Sequence, residues 1–152
     1  MTDQTPQQQF AIQKIFIKDA SLESPNAPAI FQQSQWQPEI NVQINTAANT
    51  VNDNLHEVTL TITVTAKQND QTAFLIEVKQ AGLFTISGFP KEQLGGMLGA
   101  YCPEVLFPFA REAISDLAGK GGFPQLLLAP VNFNALYTQH QQQQANPTEV
   151  TH

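Results

Sequence analysis

The one intrinsically nucleophilic thiol is Cys102, set between Tyr101 and Pro103 where a helix is expected to begin. A helix N-terminus can stabilise a thiolate, but a nucleophile also needs a base. The histidines are His56, His140 and His152. The last two fall in a polar C-terminal stretch and His56 opens a strand, so nothing in the spacing brings an imidazole to Cys102. A small buried thiol is the commoner arrangement. The histidines show no i, i+4 pair, and a single cysteine forbids both a multi-cysteine zinc site and an internal disulfide. Among the carboxylates, Asp19 and Glu23 lie four apart in strand or loop context, and Glu57 and Glu77 sit on the polar side of neighbouring strands. Gly95-Gly96 and Gly99 are not followed by Lys-Ser/Thr, so there is no phosphate loop. No nucleophile, base and oxyanion donor assemble. The expectation is binding without catalysis, with no cofactor and no metal of the chain's own.

Composition narrows what could be bound. Seven Lys+Arg against thirteen Asp+Glu leave a formal charge of −6, and Arg111 is the only arginine. Nucleic-acid binding needs clustered cations to neutralise phosphates, so that class is excluded, as is docking on an anionic membrane. Charged residues make up 13% of the chain, about half the usual share. Twenty glutamines supply the polarity instead, while 41% apolar residues suffice for a core. The polar start of the chain lacks the basic and apolar regions of a secretory signal, and no apolar run is long enough to span a membrane. A soluble, cytoplasmic protein is expected.

The elements that must position any site follow from periodicity. Residues 1–9 and 141–152, both Gln-rich, read as flexible tails flanking one domain over 10–140. Ile40 to Asn45 alternates with apolar residues at even positions, and Val58 to Thr65 repeats the pattern with four threonines on the other face. After a turn at Asn69-Asp70, Phe74, Ile76 and Val78 share one strand face and Leu75, Glu77 and Lys79 the other. This strand continues past a bend at Ala81-Gly82 to Gly88, and a less regular strand runs from about Phe10 to Leu22. Helical spacing takes over from Pro103 through Leu106, Phe109, Ala110, Ala113 and Leu117, with Pro108 inside the run and a stop at Gly119. A second helix starts at the cap Asn132. Strands first and helices afterwards make an α+β domain of antiparallel pairing. Leu75, Leu83, Phe89, Trp36, Phe31 and Ile30 fall outside this one apolar face, and large apolar side chains on loops suggest oligomer contacts or a groove.

Five segments in series carry a family likeness: Ser24-Pro25-Asn26-Ala27-Pro28, Trp36-Gln37-Pro38-Glu39, Leu98-Gly99-Ala100-Tyr101-Cys102-Pro103, Leu106-Phe107-Pro108-Phe109-Ala110-Arg111-Glu112, and Phe123-Pro124-Gln125-Leu126 with Leu128-Ala129-Pro130-Val131-Asn132-Phe133. Together, from Phe10 to Gln143, they resemble SecB, the bacterial export chaperone family. Two positions depart from the family pattern. Ile76 stands where a cysteine is often found, and Asn134 where Asp is common after Val-Asn-Phe.

The resemblance implies a four-stranded antiparallel sheet with helices packed on one face, assembling as a tetramer, a dimer of dimers. It implies an ATP-independent holdase that keeps precursors of exported proteins unfolded and delivers them to the motor SecA. The client groove would include Trp36, Ile40, Val42, Ile44 and Phe74, although alternation alone also fits Ile40, Val42 and Ile44 to plain sheet core. The SecA contact would use Asp19, Glu23 and Glu77 with Leu75 among them, and the zinc it implies belongs to SecA. The rival readings are a small-ligand binding α+β protein and a thiol enzyme built on Cys102.

Overall fold

The computed structural model describes residues 7–145. Four long strands, β1 (Gln9–Glu23), β2 (Glu39–Asn52), β3 (Leu55–Gln68) and β4 (Gln71–Ser87), form one antiparallel sheet in the order β1-β4-β3-β2. Helices follow: α1 (Lys91–Gly96), a π-turn (Met97–Tyr101), α2 (Cys102–Lys120) and α3 (Phe133–Ala145). The order is the α+β arrangement that the sequence indicates.

Period-two alternation decides which face is buried. Val58, Leu60, Ile62, Val64 and Ala66 on β3 are buried, while the threonines between them are half-exposed. Directly opposed residues of antiparallel strands share a face. The register pairs Val64 with Val42 and Ile76, and Ile62 with Ile44 and Val78, so one apolar face runs across three strands. Asn69 and Asp70, at φ 53° and 62°, make the two-residue turn into β4 that the Asn-Asp signal announces. β1 reads irregularly because its register shifts twice, between Ile12 and Lys14 and between Ile17 and Asp19. Each bulge resets the phase, keeping Phe10, Ile12, Ile15, Ile17 and Leu22 opposite helix-side residues of β4. The buried Gln80 donates its amide to the Phe16 carbonyl at 3.0 Å, satisfying backbone beside the second bulge.

The helix begins a dozen residues before Pro103, the start that the sequence suggested. Glycines at 95, 96 and 99 lower helix propensity and mask the segment. The π-turn accounts for its continuity. A proline ring clashes with the carbonyl four residues back, here that of Gly99, and a wider turn placed there relieves the clash. α2 lies over β4 and β3 and buries Cys102, Leu106, Phe107, Ala110, Ala113, Ile114 and Ala118 against them. Pro108 is accommodated within α2, on its exposed side.

α2 continues through Lys120, beyond the stop expected at Gly119. Gly122, at φ +90°, supplies the left-handed residue, and the N–H groups of Gly122 and Phe123 bond the carbonyls of Gly119 and Ala118, each at 3.0 Å. Asn132 caps α3 as its type suggests, accepting the Ala135 N–H on Oδ1 at 3.0 Å. α3 runs to Ala145, so Gln141–Gln144, assigned from sequence to a flexible tail, are helical; glutamine is a good helix former once a capped turn exists. Of the expected tails, residues 1–6 and 146–152 lie outside the described residues, and Gln9 belongs to β1.

Candidate functional site

α2 covers the middle of the sheet and leaves both flanks of the apolar face open. On the β2 flank, Ile40 and Val42 are 38% and 40% exposed although they share a face with fully buried β3 residues. Ile44, next along, is partly covered, and the cleft beside it is bounded by α3. Alternation cannot separate the covered residues from the open ones here. The difference is the helix layer: α2 lies over β3 and β4, and the layer meets β2 only toward Ile44.

At the Ile40 end the strip meets the loop joining β1 to β2. Ile30 of this loop is buried in the core, and Trp36 stacks on Phe74 at 6.3 Å and packs tilted against Phe123 at 5.4 Å. Phe31 and Phe74 also pack on Phe123, at 5.1 and 5.0 Å. Between them is a cleft of about 140 Å³, lined by Phe31, Trp36, Gln68 and Phe123 among others. Phe74, named with the groove residues on sequence grounds, is only 1% exposed. It is the floor under Trp36 and does not itself reach the surface.

Gln68 escapes a sequence reading aimed at charged and apolar residues, and it holds this end together. Its amide donates to Gln33 Oε1 and to the Gln35 carbonyl, and its own Oε1 accepts the Gln37 N–H, all at 2.7 Å. The detectable signal was a polar residue in the buried phase of β3, two after Ala66. Gln68→Ala is expected to strip three bonds from the loop and cost about 1–3 kcal/mol. Hydrogen exchange at the Gln37 amide should rise well before global unfolding, and unchanged protection there would refute the role.

At the Ile44 end, a cleft of about 310 Å³ lies between β2 and α3, lined by Ile44, Gly99, Phe133, Leu136 and Tyr137 with polar residues around them. The apolar strip thus runs from an aromatic loop cluster to a helix, in steps of two residues along an edge strand.

The opposite sheet face gathers the acidic set. The register places Glu23 beside Leu75, Ser21 beside Glu77 and Asp19 beside Lys79, so all four predicted residues lie together on the face opposite α2, which no helix covers among the described residues. Glu77 accepts the Thr63 hydroxyl at 3.1 Å. Glu57, on the same face, is engaged by Lys18 at 3.1 Å. Lys79 tempers the charge next to Asp19.

Cys102 is fully buried, and burial pushes its thiol up to about 12. The thiol is held protonated at neutral pH and lies out of reach of solvent. His56 is also buried, with Nδ1 3.3 Å from the Thr50 hydroxyl. Its place is between β2 and β4, as part of the sheet.

The comparisons agree with this architecture. A family model described as "Preprotein translocase subunit SecB" matches residues 3–144. The "Protein-export protein SecB" of Nitrosococcus oceani is 58% identical over 99% of this chain and 94% of its own length. That of Methylococcus capsulatus is 51% identical over 95% of each. A SecB-like chaperone of Mycobacterium tuberculosis, solved in complex with a ChAD peptide from the HigA1 antitoxin, superposes with a TM-score of 0.66 over 80% of this chain and 90% of the other at 18% identity, a likeness of fold. With a four-stranded sheet, a helix layer on one face and sequence identity over nearly its whole length, the chain belongs to the SecB family and is a chaperone of protein export.

Proposed function

We propose that this chaperone is an ATP-independent holdase, acting in the cytoplasm without catalysis, that holds unfolded precursors on the β2 flank and passes them to SecA from the acidic face. The exposed strip Ile40-Val42-Ile44 on an edge strand carries this reading. A non-native chain exposes apolar side chains, and each large one fully buried contributes about 1.5–3 kcal/mol before ordering costs. Among the described residues the outer edge of β2 also offers unpaired backbone N–H and C=O groups, which bind an extended chain whatever its side chains. Together they suit a binder of many sequences, and a binder of the unfolded state opposes folding by mass action. A small-ligand protein is not favoured, because the apolar contacts form a strip along a strand rather than an enclosed site.

The β1 flank offers a surface for the pairing step of a tetramer built as a dimer of dimers. Ile12 and Ile17, on the helix side of β1, are 47% and 51% exposed, and among the described residues the outer edge of β1 is unpaired. Two copies burying these flanks would leave both β2 strips free, and repetition of weak sites gives avidity. The test is a heat-denatured protein whose aggregation is followed by light scattering. Suppression at stoichiometric chaperone, indifferent to ATP, with a solution mass near four times 16.7 kDa, is the expected result. Undiminished aggregation would end the holdase reading, and a monomer at micromolar concentration the assembly.

Charge reversal at Glu77 separates the two faces. Exposed ion pairs contribute only ~0–1 kcal/mol each, acting largely through steering, so Glu77→Lys should weaken SecA binding severalfold and flatten its salt dependence. Client holding should stay at the parent level, because Glu77 points away from Phe74, Ile76 and Val78. Equal loss of both activities would show the faces are not separate sites.

A further inference from the structure

α3 is held to the rest of the molecule over a short length. Its first residue, Phe133, is buried and packs edge-on against Phe107 at 5.8 Å. One turn later Tyr137 lies across the long helix at Gly95 and Gly99. A Cβ on Gly99 would stand 2.6 Å from Tyr137 Cε1 and closer still to Cδ1, and one on Gly95 would stand 2.7 Å from the phenol oxygen. Gly96, between them, has nothing within 4 Å where its Cβ would be. The clearance is therefore specific to the two positions, four apart, that face the ring. The π-turn begins at Met97, between these two glycines. Gln141 donates to the Tyr137 hydroxyl at 2.8 Å, and Gln139 through Gln144 are exposed.

We propose that Tyr137, seated in the notch of Gly95 and Gly99, is the positioning residue that sets how far α3 covers the Ile44 end of the client groove. The inference rests on the holdase reading and extends it. With the ring seated, α3 bounds the 310 Å³ cleft over Ile44, and Ile44 is more covered than Ile40 or Val42. Unseated, α3 keeps only the Phe133 anchor, and its remaining turns swing about that end. Ile44 and the cleft-facing side of Leu136 then join the strip, lengthening the apolar surface that an extended client can cover. The glycines, which a propensity argument reads as helix breakers, serve here as clearance for one aromatic ring.

The test uses the full-length assembly carrying Ile44→Cys as a reporter, because Cys102 is fully buried and stays silent to a small thiol reagent. Gly99→Ala evicts the ring while improving helix propensity, and Tyr137→Ala removes the ring. If an open state that is minor in the parent becomes the major one, either change should speed labelling at position 44 by about tenfold or more. The double variant should gain nothing further, since an added Cβ has no ring to displace. Parent-like labelling in either single variant, or additive gains in the double, would overturn the proposal. In the Ile44 background, reduced and carboxymethylated lactalbumin should bind both variants severalfold more tightly than the parent. Faster labelling with unchanged affinity would sever the seat from client binding. No binding by any protein, parent included, would count against the holdase reading, leaving the labelling rates to decide whether Tyr137 holds α3.

Discussion

Replacing Ile40, Val42 and Ile44 together by alanine should weaken the binding of an unfolded client by about a hundredfold while the chain stays folded. Loss of side-chain area at a half-covered site removes about 1 kcal/mol per position, and three such losses amount to about two factors of ten in Kd. Stability should fall much less than for core truncations, because Ile40 and Val42 already face solvent and their removal opens no cavity. Two measurements on one protein check this, client affinity by fluorescence titration and the unfolding midpoint in urea. An affinity within twofold of the parent would place the client elsewhere. A collapse of the unfolding midpoint would return these residues to the core.

Phe74→Ala should do the reverse, destabilising the fold by about 3–5 kcal/mol, the usual cost of truncating a buried phenylalanine. Its ring lies beneath Trp36 and against Phe123, so the cavity opens under the loop that carries the aromatic cluster. Client affinity should fall too, but only as a consequence, through a loosened Trp36. Phe74→Leu, which keeps most of the volume, should recover much of both. An urea midpoint close to the parent's in Phe74→Ala would mean that the site collapses freely and that Phe74 is no structural floor.

The two variants mark where the sequence could and could not be read. Alternation in β3 and β4 determined the sheet and its buried face, because strand side chains project with a period of two whatever lies above them. The Asn-Asp turn, the Asn132 cap and α2 were equally legible, since each depends on the local chemistry of a few adjacent residues. The grouping of Asp19, Glu23, Leu75 and Glu77 followed from the family resemblance, and their shared face from register.

That Phe74 is buried and Ile40 open was not legible, because both carry the same local pattern. Phe74 is covered because Trp36 and Phe123 pack on its ring, and Ile40 is open because α2 crosses β4 and β3 rather than β2. The helical character of Lys91–Tyr101 was hidden for a related reason: its glycines weaken a helix taken alone, and the contact that explains them comes from Tyr137, some forty residues away. Gln68 likewise gains its role only when three loop groups converge on it. The sequence by itself determined the strands, the turn and caps, the α+β order and the sign of the surface charge, since these depend on side-chain periodicity and local hydrogen bonding. Which apolar residues are covered, and which stay open along β2, was decided only by the tertiary structure, because burial depends on what packs above a residue and not on the residue alone.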